Sequence, residues 1–198
     1  MDKKKQSRFS RMKKIVRSFF GKGVCPYQFS FGLLNPFRRF ILSPSELVNR
    51  LNLMSDSRIL ELGPGPGYFS REISNRVDNG QHIMADIQKE MLEKVRSRLG
   101  SNNRTGFIQA NGEKMPFLDK TFDVVFLVAV LGEIPDKLMC LKEINRILTD
   151  NGLLSITEQP GDPDSLTTKE ILEIAELAGF RQRRIYGKGS NFTLNLIR

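Results

Sequence analysis

The sequence has no tryptophan, one histidine (His82) and two cysteines (Cys25 and Cys140) among its 198 residues. Two cysteines are too few for a disulfide framework, and their wide separation rules out a zinc-binding spacing. No metal site is expected, and a reducing cytoplasm is the simplest compartment. Long apolar runs are missing as well. The longest, Val124 to Leu131, is eight residues, far short of a membrane span. The basic start is not followed by a continuous apolar stretch, so no secretory leader is expected. Hydrophobic residues make up 39% and charged residues 27%, which suits a globular chain able to bury one core.

What the chain has in excess is positive charge at one end. Its 31 Lys and Arg against 22 Asp and Glu give a net charge of +9. Residues 1–50 carry twelve of the basic residues and two acids, Asp2 and Glu46, a balance of +10. Residues 51–198 carry nineteen basic and twenty acidic residues, a balance of −1. The expected organisation is a basic N-terminal arm and cap segment over 1–50 and a nearly neutral domain over 51–198.

Within the arm, Phe9, Met12, Val16, Phe19 and Phe20 recur at helical spacing, with Arg8, Arg11, Lys13, Lys14 and Arg17 between them. Such a stripe can dock on the protein's own body. It can also lie on an anionic membrane surface through residues 8–20, or hold nucleic acid. Aromatics gathered on one face pack more readily than they stack on bases, which counts against nucleic acid. Tyr27, Phe29, Phe31, Phe37 and Phe40 follow as core or as a clamp over a pocket. Ser43-Pro44-Ser45-Glu46 then reads as a helix start with a capping box.

From Arg58 the chain alternates strand and helix signals. Strands are expected at Arg58–Leu62, Gln81–Asp86, Thr105–Gln109, Phe122–Val130 and Gly152–Glu158. Helices are expected near Tyr68–Val77, Lys89–Leu99 and Asp136–Leu148, and from Thr167 to Ala178. Phe180–Tyr186 and Asn191–Ile197 read as a hairpin joined through Gly187-Lys188-Gly189-Ser190. This pattern predicts an α/β, doubly wound sheet with helices on both faces and an antiparallel last strand.

The string Glu61-Leu62-Gly63-Pro64-Gly65-Pro66-Gly67-Tyr68 lies where the first strand turns into the first of these helices. Glycines there let the backbone approach a ligand at the carboxyl ends of the strands. A dinucleotide fingerprint needs another glycine three places after its second, and counting from Gly65 that place holds Tyr68. Glu61 would crowd a pyrophosphate but can help hold an ammonium. Asp86 ends the second strand, where a carboxylate can accept both hydroxyls of a ribose. Ala110-Asn111-Gly112-Glu113 ends the third and offers an amide and open backbone to an adenine edge. An amino-acid cation, a ribose and an adenine together make S-adenosylmethionine. Candidate cofactor-binding residues are therefore Glu61, Gly63, Pro64, Gly65, Gly67, Asp86, Ile87, Asn111, Gly112, Glu113 and Val128.

On these residues, with Asp86-Ile87-Gln88-Lys89-Glu90-Met91-Leu92, Met115-Pro116-Phe117 and Phe122-Asp123-Val124-Val125, the chain resembles the class I S-adenosylmethionine-dependent methyltransferases. The small ubiquinone/menaquinone-biosynthesis type is the nearest likeness, from about Arg58 to Arg198. The resemblance implies a seven-stranded sheet of order 3-2-1-4-5-7-6, a ribose on Asp86 and a small-molecule methyl acceptor. The chain departs from that family's usual Gly-Asp-Ala at Ala110-Asn111-Gly112, and from its His-His pair at Leu131-Gly132-Glu133.

Methyl transfer needs alignment more than acid–base help, but a hydroxyl or carbon nucleophile can need a base. Glu133, just past the fourth strand, is the candidate catalytic base, or else a carboxylate opening the next helix. His82 starts the second strand, away from the strand ends, and reads as structural. The expected activity is methyl transfer to a small, apolar acceptor, with residues 1–50 as a lid or membrane-facing cap and a cytoplasmic or peripheral location. A nucleic-acid or protein methyltransferase and a non-catalytic binding protein are the alternatives.

Overall fold

A computed structural model describes residues 41–100 and 102–198. The stripe over residues 8–20, Cys25 and the aromatics from Tyr27 to Phe40 lie outside the described residues. Seven strands form one sheet: β1 (Arg58–Leu62), β2 (Gln81–Asp86), β3 (Thr105–Gln109), β4 (Phe122–Val128), β5 (Leu148–Glu158), β6 (Arg181–Lys188) and β7 (Asn191–Ile197). Their order is β3-β2-β1-β4-β5-β7-β6. β1 pairs in parallel with both β2 and β4, β4 pairs in parallel with β5, and β7 runs antiparallel to its neighbours. Strand order reverses between β1 and β4, and there the crossovers leave a crevice at the carboxyl ends.

Five helices flank the sheet among the described residues: α1 (Pro44–Leu51), α2 (Ser70–Ser74), α3 (Lys89–Leu99), α4 (Lys137–Ile147) and α5 (Thr168–Leu177). Strand side chains alternate between faces, so the central strands β1, β4 and β5 feed two cores. Ile59, Val124, Phe126 and Leu153 pack with Leu47, Val48 and Leu51 of α1 and Ile73 of α2. Leu60, Leu62, Val125, Leu127, Leu154 and Ile156 face Leu141 and Ile144 of α4 and Ile171 and Ala175 of α5. The division expected at residue 50 falls inside α1, whose buried side belongs to the sheet's core.

Several boundaries differ from the sequence expectation for local reasons. β4 stops at Val128, because Ala129 takes a left-handed backbone (φ 56°) and turns the chain off the sheet. β5 starts early, at Leu148, which pairs with Phe122 before a register shift. α2 is a single short turn of helix. Residues 65–69 are spent on turns that use the left-handed glycines Gly65 and Gly67, and Arg76 closes the far end with a tighter bond to Ile73.

At α1, Ser43 accepts the Glu46 N–H at 3.2 Å, but the Glu46 carboxylate pairs with Arg50 instead of closing the box. The complete capping box is at α5, where Thr167 and Glu170 bond reciprocally. The hairpin turn contracts to Gly189-Ser190, since Lys188 pairs with Asn191. Leu51 is 1% exposed, so Leu51→Ala should cost about 2–5 kcal/mol. Denaturant unfolding should show this as a lower midpoint at unchanged slope.

Candidate functional site

The crevice at the β1–β4 reversal opens into a pocket containing about 1080 Å³ of space, part of it open to solvent. β1 contributes Glu61 and Leu62, and the turn after it contributes Gly63, Pro64, Gly65 and Pro66. Gly63 has φ 73°, and a Cβ there would stand 2.5 Å from a Val130 methyl, so only glycine fits beneath that wall. Gly67 closes the turn by donating to the Pro64 carbonyl at 3.0 Å, and it stands behind the lining rather than in it.

Asp86 ends β2 and is 7% exposed. Burial is the main influence on its carboxyl and raises it above the usual carboxylate range. The backbone N–H groups of Gln88, Gly65 and Ile87 pull the other way, and the charge on Glu61 adds to the rise. The Gln88 bond to Asp86 Oδ1 is 2.9 Å. Backbone donors thus hold this carboxylate at the mouth of the glycine turn. Ile87 lines the pocket beside it.

Beyond β3, Asn111 and Gly112 also line the pocket. Asn111 Oδ1 already accepts the Glu113 N–H at 3.0 Å, so its amide NH₂ is the group left to offer a ligand. Such a donor suits an adenine ring nitrogen better than the adenine amino group. Glu113 turns away from the pocket, where its Oε1 accepts the Asp136 N–H at 3.0 Å, at the start of α4. Another, largely apolar wall is formed by Val128, Ala129, Val130, Ile134 and Pro135. Glu133 sits in a short 3₁₀ turn (Leu131–Glu133) and lines the pocket there.

Sequence reasoning missed Tyr68, Phe69, Gln88, Met91, Ile134 and Pro135 as lining residues. Tyr68 and Phe69 directly follow the glycine string, which was their one available signal. His82 lies outside the lining but stands 3.1 Å through Nε2 from Glu61 Oε2. Glu158 was missed too. It ends β5 fully buried, and burial, then the charge on Asp162, pushes its carboxyl up to about 8, with the nearby Leu166 N–H pulling the other way.

The lining holds three carboxylates, Glu61, Asp86 and Glu133, and no Lys, Arg or His. Such a pocket repels a pyrophosphate and favours a cation. Donor and acceptor types fit an adenosyl cation along its length: carboxylate for ammonium, carboxylate for a ribose diol, amide for a purine edge. Among the described residues no cluster of His, Cys, Asp or Glu could hold a metal.

Residues 60–156 match a family described as a methyltransferase domain. The ubiquinone/menaquinone biosynthesis C-methyltransferase UbiE of Haemophilus ducreyi is 35% identical over 133 residues, 65% of this chain and 49% of that protein. The malonyl-[acyl-carrier protein] O-methyltransferase of Legionella pneumophila is 35% identical over 115 residues, 57% of this chain and 40% of that protein. The chain therefore spans about half the length of the curated relatives it matches. A crystal structure of a SAM-dependent methyltransferase from Aquifex aeolicus shares the fold, with a TM-score of 0.78 at 22% identity over 86% of this chain and 97% of that one.

The raised Glu158 makes a pH prediction. The folded chain keeps a proton on Glu158 that the unfolded chain gives up above its ordinary 4.5, so stability falls as pH rises from there to about 8. Glu158→Gln should remove this slope and raise the melting temperature at pH 8 relative to the parent, with little gain at pH 4. Melting curves across that range check it.

Proposed function

We propose that this chain, whose residues 60–156 match a methyltransferase-domain family, is a class I S-adenosylmethionine-dependent enzyme that methylates a small, apolar acceptor. The observation that carries the reading is the acidic pocket at the strand reversal, with Glu61, Asp86 and Asn111 spaced along it and an apolar wall beyond. When bound, S-adenosylmethionine supplies a sulfonium-borne methyl that can be displaced in line, its sulfur leaving as a neutral thioether that needs no acid. Glu61 attracts the ammonium end, Asp86 accepts from the ribose hydroxyls, and Asn111 donates to the purine.

Val128, Val130, Ile134 and Pro135 exclude water from the side on which the methyl is presented, which favours alignment of an apolar nucleophile. Glu133, on that side, is the group placed to take a proton if the nucleophile carries one. The relatives named for ubiquinone/menaquinone biosynthesis make a lipid-quinone precursor the first acceptor to try.

The basic arm over residues 1–50 supports a cytoplasmic, membrane-peripheral place for this chemistry. Its twelve basic residues against two acids, and the stripe Phe9, Met12, Val16, Phe19 and Phe20, suit an anionic bilayer surface that delivers an apolar acceptor. A lid role for the same segment would close the pocket over that acceptor.

Calorimetry on the full chain tests the cofactor. S-adenosylmethionine should bind, NAD should not, and Asp86→Ala should weaken S-adenosylmethionine by roughly 10- to 100-fold, as loss of hydrogen bonds to a charged group does. Transfer of labelled methyl to an apolar quinone precursor completes the test. Binding as tight in Asp86→Ala as in the parent would overturn the site. Co-sedimentation with anionic vesicles should be lost on deleting residues 1–23. Salt-sensitive RNA binding with no vesicle binding would overturn the membrane role.

A further inference from the structure

Two polar atoms meet in the interior behind the pocket. Glu61 Oε2 and His82 Nε2 are both buried, lie 3.1 Å apart, and lack an aligned hydrogen bond. Buried polar groups nearly always find partners, and the exceptions call for a reason. His82 is 0% exposed. It pairs in register with Ile59, on the same side of β1 as Glu61, so its ring reaches along the strand to the carboxylate.

On its other side, His82 Nδ1 lies 2.8 Å from Ser74 Oγ of α2, and the Phe126 ring of β4 lies 6.2 Å away between centroids. When the Ser74 hydroxyl donates to Nδ1, the proton of a neutral imidazole sits on Nε2, facing Glu61. A second carboxylate stands nearby, since the charge on Glu61 is among the influences that raise the Asp86 carboxyl.

We propose that His82 is a positioning residue: its imidazole, oriented by Ser74, holds one oxygen of Glu61 so that the other is presented to the ammonium of the pocket's ligand. This rests on the S-adenosylmethionine reading of that pocket. Without His82, Glu61 Oε2 would be a buried oxygen with nothing to hold it, and the carboxylate would turn from its place in the lining. That turn takes the other oxygen away from the ammonium. His82 thus belongs to the site through Glu61, although it does not line the pocket.

The test is calorimetric titration of S-adenosylmethionine into the full chain and its variants, with unfolding midpoints measured alongside. His82→Leu should weaken binding by roughly 10- to 50-fold. His82→Gln, whose amide places an N–H near the position of Nε2, should recover affinity to within about threefold of the parent. In a Glu61→Gln background, adding His82→Leu should change affinity by less than about twofold, because the group being positioned is gone.

Equal losses in His82→Leu and His82→Gln, or the same loss with and without Glu61, would make His82 a packing residue and overturn the proposal. Should His82→Leu fail to fold, Ser74→Ala decides. A loss of roughly three- to tenfold that disappears in Glu61→Gln supports the proposal, and unchanged affinity overturns it. A parent chain that binds no S-adenosylmethionine overturns the cofactor reading and this proposal with it. A parent that binds, with variants that behave as packing residues, overturns this proposal alone.

Discussion

Two carboxylates buried at the ends of neighbouring parallel strands constrain the rest of the site. Glu61 on β1 and Asp86 on β2 are 3% and 7% exposed, and the charge on Glu61 adds to the burial that raises the Asp86 carboxyl. A protein interior does not tolerate such a pair without compensation. The fold supplies part of it through the backbone N–H groups that converge on Asp86. His82, 3.1 Å from Glu61, and a ligand with a positive end are the remaining sources of compensation. The pocket has no basic lining residue, which favours a cationic occupant.

The surrounding architecture keeps that pair in place. Reversal of strand order at β1 and β4 opens the crevice, and the glycine turn lets the backbone pass close beneath Val130. The left-handed Ala129 ends β4 and leads residues 130–135 off the sheet, so a strained backbone position sets the pocket wall that holds Val130, Ile134 and Pro135. Gly132 is part of the same closure, since a Cβ there would come within 2.0 Å of the Asp164 carbonyl oxygen. The loop after β5 is thereby held against the turn that carries Glu133.

Much of this was legible in the sequence. The expected limits of β1, β2, β3 and β7, and of the helix α3, are the observed ones, and most of these ends are marked by charged, Gly or Asn residues. Strand order followed from resemblance, not from periodicity, which cannot order strands. The glycine string with Glu61 and Asp86 located the pocket, since turn chemistry and strand ends are local properties. What was not legible depended on contacts distant in sequence.

Glu113 looks like a ligand residue on its own strand end, yet it accepts the backbone N–H of Asp136, the N-cap of α4, 23 residues later. Asn111 spends its carbonyl oxygen on its own loop. His82 sits at the wrong end of β2 to be a site residue by position, and only the register of β1 against β2 brings its ring to Glu61. Ala129 carries no mark at all, because alanine is not a residue from which a left-handed turn is expected.

The central claim is that the paired carboxylates read the adenosyl cation from end to end. A crystal structure of the full chain grown with S-adenosylmethionine tests it most directly. The account predicts ribose hydroxyls within hydrogen-bonding distance of Asp86, the ammonium on the Glu61 side of the glycine turn, and the methyl facing Val128 and Ile134. A cofactor bound in the opposite sense, with its adenine against Glu61 and its ammonium far from both carboxylates, would contradict it.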